Sequence, residues 1–146
     1  MRGNQIATVD EKGRLKIPSV YRSEIEETHG VTDFYITSLT GDSVLIYPLP
    51  AWQEIEDRLS RLPALNPTKK KFLDRTNYYG QLASIDKSGR ILIPSLLRES
   101  AKVEGEVVVL GNLNYLDVWN HETFRSKLKE QEFTDEDHQT LAELGI

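Results

Sequence analysis

Two Asp-x-x-x-Arg motifs hold the residues of this chain best suited to chemistry: Asp10 with Arg14, and Asp86 with Arg90. Each spans a glycine, Gly13 or Gly89, and each leads into Ile-Pro-Ser, at 17–19 and 93–95. A carboxylate four residues ahead of an arginine across a tight turn faces it and sets its direction. A guanidinium held in that way at the end of a rigid β-arm can enter a DNA groove and make bidentate contacts to guanine or phosphate. Lys12 and Lys87, on the turns themselves, suit phosphates, and Lys16 adds charge beside the first motif. A single exposed pair of this kind is ordinarily a turn-stabilising ion pair worth about 0–1 kcal/mol. Two copies, each with further bases nearby, shift the reading towards binding.

The copies are a duplication. A constant shift of 76 aligns Asp10, Gly13, Arg14, Ile17, Pro18, Ser19 and Arg22 with Asp86, Gly89, Arg90, Ile93, Pro94, Ser95 and Arg98. Two units are too few for a solenoid, so the halves are expected to pack on each other. In each, the pattern switches from strand to helix. Ala7 and Val9, the turn Asp10-Glu11-Lys12-Gly13 and the alternating Arg14-Leu15-Lys16-Ile17 predict a β-hairpin closed by a glycine bulge. Pro18 suits the first position of a helix carrying Val20, Tyr21 and Ile25. Further hairpins are predicted at 33–47, turning at 40–43, and at 106–119, turning at Gly111-Asn112.

A helix follows each, with Trp52, Ile55, Leu59 and Leu62 along one face, and Phe124 and Leu128 along the other's. Asn66 and Pro67 open a basic helix in which Lys69, Lys70, Lys71 and Arg75 surround Phe72 and Leu73. Tyr78 and Tyr79 are expected to pack. Thr134-Asp135-Glu136-Asp137 starts a last helix with Leu141 and Leu144 as a small stripe. The division expected is a first repeat at 1–62, a connecting helix at 63–80, a second repeat at 81–133 and an acidic terminal segment at 134–146. Four short strands cannot close a core alone, so the halves are expected to interleave into one small barrel with pseudo-twofold symmetry and helices outside.

Charge sorts the same way. The 146 residues carry a net charge of −5, yet 1–25 are net +2 and 67–102 net +5, against −5 for 26–66 and −7 for 103–146. The two repeat-bearing segments are the basic ones, and screening lets such a face act locally on an acidic protein. Enzyme chemistry is not expected. His29, His121 and His138 are scattered without metal-ligand spacing, and neither a P-loop nor a dinucleotide fingerprint is present. Neither a metal nor a cofactor is expected, nor a small-molecule substrate. Cysteine is absent, no apolar run reaches membrane length and the first ten residues lack a signal peptide's apolar stretch, so a cytoplasmic protein without a membrane partner is expected.

The strand–turn–strand–helix unit Asp-x-x-Gly-Arg-φ-x-Ile-Pro (φ apolar) resembles that of the SpoVT-AbrB superfamily of DNA-binding transcription factors. Two copies in one chain of this length resemble the MraZ family within it. Arg2-Gly3-Asn4, Leu45-Ile46-Tyr47-Pro48 before Trp52, and Leu62-Pro63 ahead of Asn66-Pro67 match as well, so the resemblance covers nearly the whole chain. It implies a mainly β fold with flanking helices, a double-split, swapped-hairpin-like β-barrel of two pseudo-symmetric halves. It also implies a closed homo-oligomeric ring on double-stranded DNA at short direct repeats upstream of its own division and cell-wall operon, in the nucleoid. The family's DNA-contacting arginine falls on Arg14 and, through the repeat, on Arg90, with Lys12, Lys16, Lys87 and Arg2 completing the DNA-binding set and Asp10, Gly13, Asp86 and Gly89 shaping the turns. Arg2 stands where the family commonly has phenylalanine, and 72–80 is more polar than the aromatic-rich stretch typical there. Two other classes fit the same residues: an antitoxin-like module binding a basic partner through 103–146, and a purely structural assembly protein.

Overall fold

In the computed structural model, which describes residues 1–30 and 33–146, the alternation in both repeats becomes strand, and every strand enters a single sheet. The first half contributes β1 (Asn4–Val9), β2 (Arg14–Lys16), α1 (Ser19–His29), β3 (Asp33–Thr37), β4 (Val44–Pro48) and α2 (Leu49–Ser60). After α3 (Pro67–Tyr78), the second half repeats the order with β5 (Gln81–Ser84), β6 (Arg90–Leu92), α4 (Ser95–Ala101), β7 (Gly105–Asn112), β8 (Tyr115–Asn120) and α5 (His121–Glu130), and α6 (Asp135–Ala142) ends the chain.

The strand order is β5-β3-β4-β8-β7-β1-β2-β6, antiparallel throughout and bent into a nearly closed barrel. Exchanging β1 to β4 for β5 to β8 leaves this cyclic order unchanged, which is the pseudo-twofold symmetry the duplication implies. The axis passes through the pair Leu15↔Ile91, equivalent at a shift of 76, and through Leu45↔Asp117, equivalent at 72. The fold is the mainly β barrel with flanking helices that the resemblance implies.

The predicted hairpins open almost at once. β1 meets β2 only at Val9↔Leu15, then runs along β7 from Asn4↔Leu110 to Val9↔Gly105, while β5 runs along β3 and β2 pairs with β6. A three-residue β2 cannot satisfy the six-residue β1, whose backbone groups find partners on the longer β7 instead. Inward residues of six strands form the centre of the core: Leu15, Ile36, Val44, Ile46, Ile91, Val107, Val109, Leu116 and Val118 are fully buried, with Val9 of β1 buried beside them and Ala83 of β5 partly so. Tyr21 and Ile25 of α1 and Leu97 and Ala101 of α4 pack against them. Helices α2 and α3 cover the outer face of β3 and β4 through Trp52, which stacks on Tyr35 at 4.7 Å and faces Phe72 at 6.2 Å. Thr76 O accepts bonds from Tyr35 Oη (2.9 Å) and Thr37 Oγ1 (2.7 Å), fastening α3 to the sheet.

Several local expectations shift. Pro18 and Pro94 occupy the N-cap with extended ψ, and the serine after each is the first helical residue. The turn of the last hairpin lies at Leu113-Asn114, because Gly111 is needed inside β7: its N–H donates to Gly3 O (2.8 Å), and a Cβ there would collide with the backbone of Arg2. Leu62 lies beyond α2, and Leu128, Tyr78 and Leu144 are exposed rather than packed; Phe72 and Leu73 are only half-buried. Asn66 caps α3 as expected, its Oδ1 accepting from the Thr68 and Lys69 N–H groups, and Thr134 opens α6 with a capping box.

Candidate nucleic-acid interface

The turn ahead of Arg14 is built from its own backbone. Asp10 Oδ1 accepts from the N–H groups of Lys12 and Arg14, both at 2.9 Å, Asp10 N–H donates to Arg14 O, and Gly13 at φ +82° closes the loop with a bond to Asp10 O. The second copy repeats this arrangement: Asp86 Oδ1 accepts from Ser88 and Arg90, and Gly89 sits at φ +79°. In the first copy Asp10 Oδ2 also holds Arg14 Nε at 3.3 Å, so the carboxylate does aim the guanidinium; in the second it holds only the Arg90 backbone.

The backbone N–H of Arg14 above all pulls the Asp10 carboxyl below its ordinary 3.8; desolvation opposes it, and the Lys12 N–H and the Arg14 guanidinium add smaller lowering effects. Asp86 is lowered by the Arg90 N–H above all, and also by the charges of Arg14 and Arg90 together. A depressed carboxylate stabilises the fold fully above its unfolded value, and the contribution is lost as pH falls through the lower folded one. Replacing both Asp10 and Asp86 by Asn is therefore expected to lower the thermal midpoint at pH 7, with the gap to the parent closing as the pH falls below the ordinary carboxyl value of 3.8. A gap unchanged between neutral and strongly acidic solution would contradict this account.

The two turns are clasped to each other. Ile17 N–H donates to Gly89 O and Ile93 N–H to Gly13 O, both at 2.9 Å. The second arginine of each repeat serves this clasp. The Arg98 guanidinium lies over Gly13, filling the space a Cβ would need, and Arg22 covers Gly89 in the same way. Arg98 Nε further donates to Ile93 O (3.0 Å), and Arg22 Nε faces Glu26 Oε1 at 3.3 Å. These arginines recur because each braces the other copy's turn, a role the sequence does not show.

The first arginines are brought together. With β2 and β6 paired as Arg14↔Leu92, Leu15↔Ile91 and Lys16↔Arg90, the middle residues point inward and the outer four side chains share one outward face. Arg14 and Arg90 are half-exposed and Lys16 is exposed. All three line a groove of about 520 Å³ with Asp10 and the β1 residues Gln5, Ile6, Ala7 and Thr8. Lys12 and Lys87 stand exposed on the neighbouring turns. Arg2 stands apart, at the opposite end of β1 and roughly 20 Å along the strand from the turn, with its carbonyl accepting from Tyr21 Oη. The two helices that rest on strands lie elsewhere, α2 on β3 and β4 and α5 on β7 and β8, while Pro18 and Ser19 at the start of α1 border the groove. Among the described residues there is no cluster of three His, Cys, Asp or Glu placed to hold a metal, and no helix long and apolar enough to cross a membrane.

Two guanidiniums and an ammonium on one outward face of paired strands offer donors of the kind that base edges and phosphates accept. Comparison with known proteins points the same way. The family described as "MraZ protein, putative antitoxin-like" matches residues 1–75 and 81–144. A protein of Acidobacterium capsulatum named Transcriptional regulator MraZ is 50% identical over 145 residues, covering 99% of both chains. One of the same name from Koribacter versatilis is 46% identical over the same span and coverage. Another, from Escherichia coli, is 32% identical over 129 residues, 88% of this chain and 85% of the relative.

Proposed function

The chain belongs to the MraZ family, and from that premise we propose that it is a sequence-specific DNA-binding transcriptional regulator of the cytoplasm and nucleoid, repressing its own division and cell-wall operon as a ring of identical subunits on short tandem repeats. The observation that carries the reading is the convergence of Arg14, Lys16 and Arg90 on one outward face along an open groove. Arg14 and Arg90 read base edges or fork a phosphate, while Lys12, Lys16 and Lys87 neutralise backbone charge. One acidic subunit with so few bases binds DNA weakly, with a non-specific Kd of about 10⁻⁴–10⁻⁶ M. A ring that meets evenly spaced repeats makes later contacts intramolecular and raises avidity by roughly 10²–10⁴. A head-to-tail interface that closes generates such a ring.

Selection of bound duplexes from a random pool tests this reading directly. Short direct repeats at fixed spacing are expected, and a pool without consensus would refute it. Lys12→Ala is expected to weaken binding to every sequence alike and to reduce the salt slope by about one, measured by titration across a salt series. A sequence-selective loss instead would place Lys12 against a base.

One observation favours an antitoxin-like reading beside it. The α6 segment is exposed except at the half-buried Leu141 and carries Phe133, Leu144 and Ile146 in solvent beside Asp135, Glu136 and Asp137. Deleting 134–146 separates the two: a regulator keeps its DNA affinity, whereas an antitoxin-like module loses a basic partner.

A further inference from the structure

The ribbon that carries Arg14 and Arg90 departs from its own symmetry at one corner. The pseudo-twofold exchanges Arg14 with Arg90 and Leu15 with Ile91, and it also exchanges Lys16 with Leu92. Identical halves would present two Arg and two Lys on the outward face. This chain presents Arg14, Lys16, Arg90 and a leucine, and Leu92 is 54% exposed. Nothing in the core calls for it, since its strand neighbour Ile91 fills the inward position at the axis. It stands directly across from Arg14, with Cβ atoms of such a pair about 5 Å apart, while Arg14 and Arg90 are diagonal neighbours about 7–8 Å apart. Those spacings correspond to between one and two, and about two, base steps of 3.4 Å.

Resting on the DNA reading above, we propose that Leu92 reads a thymine, and that the Lys16/Leu92 difference gives the ribbon a direction on the duplex. In the major groove an arginine takes the N7 and O6 acceptors of guanine, and the one apolar group offered by any base is the C5-methyl of thymine. Leucine beside Arg14 therefore selects a thymine next to the guanine that Arg14 reads. Lysine beside Arg90 accepts a guanine edge or a phosphate at the other end. A subunit with matching corners would sit equally well in either orientation, as befits a palindrome. Direct repeats need every subunit to face the same way, and the apolar corner adds a base-reading difference between the two orientations to that of the turns, where Lys12 aligns with Ser88 and Glu11 with Lys87.

The test uses the full-length protein and the duplex recovered from pool selection, with deoxyuridine replacing each thymine in turn to remove only the methyl. Wild type is expected to bind about fourfold more weakly per site at one thymine adjacent to a guanine, the loss of one buried methyl. Leu92→Ala should bind both duplexes alike, with its oligomer mass unchanged by native mass spectrometry. Leu92→Lys, which makes the four outward corners of the strands match, should select sites from the pool with a weaker preference for one orientation. Wild type indifferent to every methyl, or Leu92→Ala that still discriminates, overturns the assignment. So does a changed oligomer mass in Leu92→Ala, which would make Leu92 a subunit contact. Failure of wild type to select any consensus overturns the DNA reading itself, and this assignment with it.

Discussion

Arg14→Ala is expected to weaken binding to a direct-repeat operator at least about 100-fold while leaving the protein folded and assembled. Each bidentate arginine–base contact contributes about 1–3 kcal/mol of discrimination, and a ring loses that contact at every repeat it touches. Folding should survive because the turn is held by the Arg14 N–H, not its side chain: Asp10 Oδ1 accepts from the backbone at 2.9 Å, and alanine keeps that bond. The lost pair between Arg14 Nε and Asp10 is part-exposed and screened by solvent, so its removal costs the fold little. Arg14→Lys sharpens the comparison, since it keeps the charge but not the planar fork. It should retain non-specific, salt-sensitive binding and lose preference for the operator. Gel-shift titration of both variants against operator and scrambled duplexes reads the outcome, and unchanged operator affinity in Arg14→Ala refutes the assignment.

Leu15→Ala is expected to destabilise the protein by about 2–5 kcal/mol, lowering the thermal midpoint by roughly 10 °C at fixed protein concentration. Leu15 is wholly buried where the pseudo-twofold axis meets the ribbon, packed opposite the equally buried Ile91. Truncating it opens a cavity that both halves share, directly behind Arg14 and Lys16. Operator binding should fall with it, because the outward side chains are aimed by the same strand pair. Denaturant melts followed by circular dichroism measure the loss. A change below about 0.5 kcal/mol would mean that β2 and β6 do not pack across the axis as described.

The local pieces were legible because short-range rules decide them. Asp10, Gly13, Asp86 and Gly89 make the turns they announce, Asn66 and Thr134 cap the helices they precede, and period-two alternation correctly points Leu15 and Ile91 inward. Misplacements arose where distant chain intrudes. Gly111 reads as a turn until the N-terminal segment is seen lying against it, and Leu128 reads as packed until α5 is seen to rest on the sheet through Phe124 and the Lys127 ammonium over Trp119. Of the candidate site, Arg14 and Arg90 could be picked out from their recurrence and the lysines from their place beside them, but Leu92 and the bracing role of Arg22 and Arg98 could not.

By itself, then, the amino-acid order determined the duplication, the turn chemistry, the inward and outward faces of each strand and the family. The tertiary structure decided which strand edges meet: β1 with β7, β5 with β3, and above all β2 with β6. Alternation specifies a face but not a neighbour, because every strand offers the same backbone donors and acceptors along both edges. Pairing is settled only when all eight strands find partners at once. That global condition turns two separate Asp-x-x-x-Arg arms into a single face bearing Arg14, Lys16, Arg90 and Leu92.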